Sequence, residues 1–237
     1  MAAMEPSSIP ATVHLSGPII LRTVLGFGLI FVLIFIPAGR LDYGQGWLYF
    51  GLNVVSLVVT YITLWHKPDL VQERLKPGPG RKPWDKVYSI LSTPLWFIMV
   101  IIAALDAGRF HWSPRVPTAV VVVGAVLYAL CQALFLWAKA VNRFFSAVVR
   151  IQTDRGQTVC REGPYRFVRH PGYLSGIIFG PAGPLVLGSF WALIPAVLSA
   201  ILLIVRTALE DKTLQAELPG YSDYARQVRF RLVPGVW

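Results

Sequence analysis

The chain has 237 residues, of which 55% are hydrophobic and only 14% are charged, and this composition excludes an ordinary soluble globular domain. The net charge of +10 does not by itself indicate nucleic-acid binding, because the basic residues must first be located relative to the apolar runs. The two cysteines, Cys131 in an apolar run and Cys160 in a loop, form no disulfide pattern and no thiolate metal site.

Apolar runs of 17 or more residues recur along the chain, and each predicts a membrane-spanning helix. In chain order, the predicted spans are 19–36, 47–65, 87–105, 116–138, 172–188 and 189–205. The last two have almost no loop between them, so they are predicted to form a tight helical hairpin.

The fifth run contains Gly180-Pro181-Ala182-Gly183-Pro184, which weakens it as a regular helix and leaves open a broken or re-entrant segment. We therefore predict an all-α, polytopic membrane helical bundle of about six spans, or five if 172–188 is re-entrant. A single domain, 1–237, would combine a four-span scaffold (1–138) with a polar region (139–237) that contains the 172–205 hairpin.

The distribution of basic residues predicts the orientation of this bundle. With six spans and a cytoplasmic N-terminus, segments 66–86, 139–171 and 206–237 lie inside and carry 18 of the 22 Lys and Arg residues. The outside segments 37–46 and 106–115 carry three. Both termini are therefore predicted to be cytoplasmic, and the basic excess is predicted to face anionic membrane lipids rather than nucleic acid.

One segment at a predicted membrane boundary is rich in side chains that can bind a ligand, with arginine, histidine and tyrosine close together: Gly163-Pro164-Tyr165-Arg166-Phe167-Val168-Arg169-His170-Pro171-Gly172-Tyr173. An antiparallel hairpin returns the chain to its starting side, so we expect His170 and Tyr173 to lie near Arg206 and Glu210. Arg206 and Glu210, spaced i,i+4, form either an ordinary surface ion pair or a site in which the carboxylate holds a cationic group and the guanidinium an anionic one. Aromatic faces beside them would attract sulfonium or ammonium cations.

No two His or Cys residues have metal-ligand spacing, and no glycine-rich phosphate or dinucleotide motif occurs, so neither a metal site nor a soluble dinucleotide-binding fold is predicted. His170 is predicted to position a ligand rather than to act as a base.

The polar segment and its continuation resemble a known family. The pattern Gly163-x-Tyr165-x3-Arg169-His170-Pro171-x-Tyr173, followed by Arg206-x3-Glu210-Asp211-x2-Leu214 and Leu218-Pro219-Gly220-Tyr221-x2-Tyr224, is similar to that of the isoprenylcysteine carboxyl methyltransferases. Related bacterial membrane methyltransferases and phospholipid methyltransferases share it. The resemblance covers residues 142–234; the first four spans match only as hydrophobic helices.

The resemblance implies S-adenosylmethionine as cofactor. Its contacts would be Gln152, Gln157, Thr158, Val159, Cys160, Tyr165, His170, Pro171, Gly172, Tyr173 and Glu210. Arg206 matches the family arginine associated with the substrate carboxylate, so Arg206 and Glu210 are the predicted catalytic residues. Two departures are a serine, Ser175, where the family usually has glycine, and a shorter loop between Gln152 and Gln157.

The predicted function is an integral-membrane, S-adenosylmethionine-dependent methyltransferase. It would transfer a methyl group to a carboxylate or other nucleophile of a lipophilic substrate entering from the bilayer, with soluble cofactor arriving from the cytoplasm. In-line transfer from a sulfonium mainly requires alignment and exclusion of water, which agrees with the absence of a recognisable base–nucleophile pair.

Three alternatives remain open at this point. One is a membrane NADPH-dependent reductase of the sterol or steroid type, although such enzymes tend to place an acidic residue soon after Arg-His-Pro-x-Tyr and residues 174–178 contain none. Another is a non-catalytic membrane protein that keeps the fold. The third lies within the same superfamily: a phospholipid or thiol methyltransferase.

Overall fold

The computed structural model describes residues 17–237, and within this range every regular element is a helix, which confirms the predicted all-α fold. The helices are α1 (Gly17–Ala38), α2 (Gly44–Leu64), α3 (Pro68–Leu75), α4 (Pro83–Ala103), α5 (Thr118–Val141), α6 (Pro171–Leu187), α7 (Leu193–Glu217) and α8 (Tyr221–Gln227). A π-helical segment, Ala104–Phe110, extends α4, and two 3-10 turns, Thr153–Arg155 and Gly163–Arg166, precede α6. The predicted cytoplasmic N-terminus falls in 1–16, outside the described residues.

Five helices are long and apolar enough to cross a membrane: α1, α2, α4 with its π-helical extension, α5 and α7. Large apolar side chains on these helices are exposed, among them Leu21, Val55, Ile90 and Leu130. Water would solvate such surfaces poorly, whereas lipid chains match them. The chain is therefore an integral membrane protein.

Helix α6 is more regular than its sequence predicts. Pro181 and Pro184 lie inside one continuous helix of 17 residues, so of the alternatives left open by the sequence a broken helix is excluded. The proline-rich stretch packs between neighbouring helices, with Ala182 and Pro184 buried, and such packing stabilises a helix that lacks some of its own hydrogen bonds. At this length α6 is shorter than the five helices that reach spanning length.

The connections at the far end of the bundle also differ from the prediction. Helix α7 begins at Leu193 rather than at 189, and the third predicted span continues helically past 105 to Phe110. The cause is Asp106, which is fully buried and accepts hydrogen bonds from the Ser113 amide and the Ser189 hydroxyl, both at 2.6 Å. Asp106 thereby ties the end of the α4 extension to the α6–α7 turn.

The polar segments 66–86, 139–171 and 206–237 meet at the opposite end of the bundle. Lys82 Nζ lies 2.6 Å from a Glu217 carboxylate oxygen, which joins the α3–α4 connection to the end of α7. A hydrophobic cluster at this end packs Tyr165 against Tyr221 and Tyr224. The three segments rich in basic residues are thus adjacent, as the topology predicts; the side of the membrane that they face stays a prediction.

Candidate active site

A cavity opens at this end, between the 142–160 loop, the start of α6, the end of α7 and α8. It holds about 810 Å³ of empty space, counting the part that is open to solvent. Of the predicted cofactor contacts, those that line it are Gln152, Gln157, Thr158, Val159, Cys160, Tyr165, His170, Gly172, Tyr173 and Glu210. Pro171 and Arg206 do not line it: Pro171 is the first residue of α6, and Arg206 lies behind Tyr173.

The loop wall of the cavity is shaped by Gln152, which is only 1% exposed. Its backbone amide donates to the Gln157 side-chain oxygen at 2.7 Å, and its own side-chain amide donates to the Phe144 carbonyl at 2.7 Å. Arg155 donates to the remaining Gln152 oxygen at 2.6 Å. Gln152 and Gln157 therefore close the loop on itself, with Gly156 in the left-handed conformation at its turn (φ 61°).

The base of the cavity is formed by neutral polar side chains. Asn142 donates to the Tyr165 hydroxyl at 3.2 Å, and Tyr224 donates to the Tyr165 carbonyl at 2.7 Å. The Cys160 thiol lies 3.7 Å from the Val141 carbonyl. Burial raises the pKa of the Tyr165 phenol and of the Cys160 thiol, so both remain protonated at neutral pH.

Behind this wall, one fully buried carboxylate, Asp211, organises the polar segment. Arg169 binds it with two hydrogen bonds, at 2.7 and 3.1 Å, and Arg231 adds a third at 2.9 Å. The Tyr221 hydroxyl donates to it at 3.0 Å, and His170 Nε2 lies 3.2 Å from it. Asp211 therefore fixes the His170 ring, which stacks on Tyr173 with an interplanar angle of 4°.

Asp211 is part of the sequence motif, but the motif alone predicts no role for it. Nothing in the sequence pointed to Arg231. The available signal was the placement of Asp211 beside Glu210, since two adjacent acids on a helix face different neighbours. Here Glu210 lines the cavity and Asp211 points into the protein.

The predicted proximity of Tyr173 to Glu210 and Arg206 is confirmed, but Arg206 and Glu210 do not form an ion pair within the described residues. Tyr173 donates a hydrogen bond from its hydroxyl to Glu210. Arg206 Nη2 instead lies 2.8 Å from Asp85 Oδ1, and its guanidinium stacks over Tyr88 and Tyr173 at 4.5 and 5.2 Å from the ring centres.

Asp85, in the first turn of α4, was missed by sequence reasoning. It is fully buried, and its other oxygen accepts hydrogen bonds from Arg81 at 2.7 Å and from the Val149 amide at 3.3 Å. Asp85 thus joins α4, α7 and the loop. The i,i+4 spacing of Arg81 and Asp85 was the only local signal, and it pointed to an ordinary helical ion pair.

Two arginines that line the cavity, Arg150 and Arg169, are already paired with acids, Arg150 with Glu73 and Asp154 and Arg169 with Asp211, so the Glu210 carboxylate is left to face a positively charged ligand. Glu210 contributes a carboxylate, and Tyr165, Tyr173 and Tyr221 contribute aromatic surface. Among residues 17–237, no group of three His, Cys, Asp or Glu side chains is placed to hold a metal ion.

Residues 120–216 match the model of a protein family described as the isoprenylcysteine carboxyl methyltransferase (ICMT) family. The matched segment runs from α5 to the end of α7 and includes every predicted site residue, whereas Asp85 lies outside it. A search of curated proteins found no match. The resemblance seen in the motif is thereby confirmed, and it supports a membrane methyltransferase.

Proposed function

We propose that this protein is an integral-membrane methyltransferase that uses S-adenosylmethionine to methylate an acidic group of a lipophilic substrate. The observation that carries the proposal is the cavity itself. It gathers ten residues implied by the family resemblance from the loop, α6 and α7, elements that lie up to about sixty residues apart in the chain.

The residues of the cavity fit this cofactor chemically. Its sulfonium and ammonium groups are cations, and Glu210 with the neighbouring tyrosine rings provides a carboxylate and aromatic faces for them. Thr158, Val159 and Cys160 provide a mixed polar and apolar wall suited to a purine nucleoside. When bound, the cofactor supplies an electrophilic methyl group.

The role of the protein would be alignment. A carboxylate acceptor is already a nucleophile, so no group of the enzyme needs to remove a proton from it. Tyr173 would lie between the cofactor and the acceptor. Its hydroxyl donates a hydrogen bond to Glu210 at the cavity, and the Arg206 guanidinium stacks over its ring. The Arg206 Nε–H is buried and has no hydrogen-bond partner among the described residues, so it is a free donor for an acceptor oxygen.

The access routes follow from the location of the cavity, where polar loops meet apolar helices. Soluble cofactor would enter from the cytoplasm past the 142–160 loop, and the lipophilic acceptor would enter from the bilayer between helices. Both the orientation and the acceptor are part of the proposal.

Titration of the detergent-solubilised protein with S-adenosylmethionine and, separately, with NADPH tests the cofactor. Binding of the former alone supports the proposal; binding of NADPH alone would indicate a reductase, and binding of neither would indicate a non-catalytic protein. Transfer of labelled methyl to prenylcysteine analogues or to a membrane lipid extract would then identify the acceptor.

A further inference from the structure

Two cationic side chains near the Phe145 side of the cavity, one on α3 and one on α5, have no anionic partner among residues 17–237. Arg74, on α3, stacks over the Phe145 and Phe135 rings, with its guanidinium carbon 5.4 and 6.0 Å from their centres. Lys139, in the last turn of α5, follows Phe135 by four residues and therefore shares its helix face. Arg74 thus lies over two aromatic rings that pack edge to face at 5.3 Å, and Lys139 lies one helical turn beyond Phe135.

Lys139 is unusual among the buried cations. It is 8% exposed, comparable to Arg150 at 4% and Arg169 at 7%. Arg150 is bound by Glu73, and Arg169 by Asp211. In the described part of the chain, neither Lys139 nor Arg74 has an ion pair or a hydrogen bond from its charged group. Lys139 is buried and Arg74 is half-buried, and no charged nitrogen of either is among the fully enclosed polar atoms that lack a partner, so both charges stay accessible to a ligand. An anion supplied from outside would offset these partly desolvated charges.

The acids on α3 do not neutralise the pair, because both are committed elsewhere. Glu73 binds Arg150, and Asp69 binds Arg143 and Arg155. These bonds hold the acidic face of α3 against the 142–160 loop. Arg74 is thereby left on the side of the aromatic pair.

The pair also adjoins the proposed reaction centre. The Phe145 ring lines the cavity and packs so closely on Gly172 that a Cβ atom there would lie 2.9 Å from it. Burial lowers the pKa of the Arg74 guanidinium; Tyr173 opposes this shift, and Arg206 adds to it as a neighbouring like charge. Arg206 itself faces Asp85, so its charge is already balanced, whereas Arg74 and Lys139 have no acidic partner in the part of the chain that the structure describes.

We propose that Arg74 and Lys139 form an anion-binding site for the acid group, a carboxylate or a phosphate, of the lipophilic acceptor. The selectivity of the enzyme for an acidic acceptor then resides in this pair, while Arg206 offers a single hydrogen bond beside the transferred methyl group. The inference rests on the proposed function, because it takes the neighbouring cavity as the cofactor site.

Direct binding tests the site without any need for turnover. The full-length protein, in nanodiscs of phosphatidylcholine and without cofactor, is titrated with an S-prenylcysteine acid, with its methyl ester and with a short-chain phosphatidic acid. We expect at least one acid to bind more tightly than the ester. Arg74→Gln and Lys139→Gln should each weaken acid binding about tenfold and leave ester binding unchanged.

Matched controls separate charge recognition from general effects. Lys212→Gln and Arg229→Gln remove exposed cations at the same end of the bundle and should leave acid binding unchanged. Arg74→Lys and Lys139→Arg keep the charge and should retain most of the binding, which excludes a loss of packing. The acid that binds more tightly, carboxylate or phosphate, identifies the headgroup.

Equal binding of acids and ester, or undiminished acid binding by Arg74→Gln and Lys139→Gln, would overturn the proposal. So would an equal loss in the control variants. Because this titration contains no cofactor, a failure of the protein to bind S-adenosylmethionine would refute the proposed function while leaving a positive acid-binding result intact. The converse result would refute only the anion site.

Discussion

Arg169 and Asp211 form a buried ion pair in which Arg169 Nε and Nη2 donate to the two carboxylate oxygens at 2.7 and 3.1 Å. The pair joins the polar segment before α6 to the far half of α7. Arg169 itself lines the cavity and Asp211 follows the cavity residue Glu210, so this contact determines how the two halves of the candidate site face each other.

Removal of the Asp211 charge should destabilise the fold. Asp211→Asn leaves Arg169 and Arg231 in or near the protein interior without a counter-ion, which should lower the free energy of unfolding by about 3–5 kcal/mol. Denaturant unfolding in detergent measures the loss. Asp223→Asn, which breaks only the exposed contact with Arg226, should change it by less than about 1 kcal/mol. Equal effects of the two substitutions would refute the central role of Asp211.

Loss of the Glu210 carboxylate should weaken the binding of S-adenosylmethionine. Glu210→Gln keeps the size of the side chain but removes the negative charge beside a cationic ligand, so the affinity for S-adenosylmethionine should fall about tenfold or more. Isothermal titration of the detergent-solubilised protein measures it. Glu217→Gln, on the same helix but outside the cavity, is the control. Unchanged affinity in Glu210→Gln would exclude a direct role for this carboxylate.

Substitution of Arg206 should separate methyl transfer from cofactor binding. Arg206→Gln removes one partner of the buried Asp85, so it should lower both the methyl-transfer rate and, by about 1–3 kcal/mol, the free energy of unfolding. Cofactor affinity should stay within about twofold of the wild-type value, because Arg206 does not line the cavity.

The double variant Asp85→Asn with Arg206→Gln removes both charges of this pair. Because Arg81 then also loses its counter-ion, the double variant should recover only part of the stability and none of the transfer. Recovery of both would mean that Arg206 only balances Asp85 and has no role toward the acceptor.

Alkylation of Cys160 should report cofactor binding. Burial raises the pKa of this thiol, so the reactive thiolate is scarce at neutral pH and the rate of maleimide labelling should rise steadily as the pH is raised. Bound S-adenosylmethionine should slow the labelling, since Cys160 lines the cavity.

Peptide mass spectrometry distinguishes Cys160 from Cys131, which is buried in α5 and serves as the internal control. Labelling of Cys160 that saturating cofactor does not slow would contradict the placement of the cofactor beside this residue.

Several features of the site could be predicted from sequence because they depend on neighbours along the chain or on one simple topological step. Tyr173 was expected near Glu210 because a helical hairpin returns the chain to its starting side, and their hydrogen bond confirms it. The sequence could not decide the outcome where local rules compete with packing. The prolines of 180–184 left a broken or re-entrant segment open, and the neighbours of α6 keep the helix continuous. The i,i+4 spacing of Arg206 and Glu210 is compatible with an ion pair between them. In the structure Arg206 instead pairs with Asp85, and Glu210 accepts a hydrogen bond from Tyr173.

The sequence alone therefore determined the membrane class, the helical architecture and the family resemblance, because long apolar runs and compact motifs are local properties of the chain. Only the tertiary structure decided the charge pairing. A buried ion pairs with the opposite charge that lies within about 3 Å of it, because the attraction falls with distance. Segments distant in sequence come that close only after the bundle has packed. For this reason the roles of Asp85 and Asp211, and the unpartnered state of Arg74 and Lys139 within the described residues, became visible only in the folded chain.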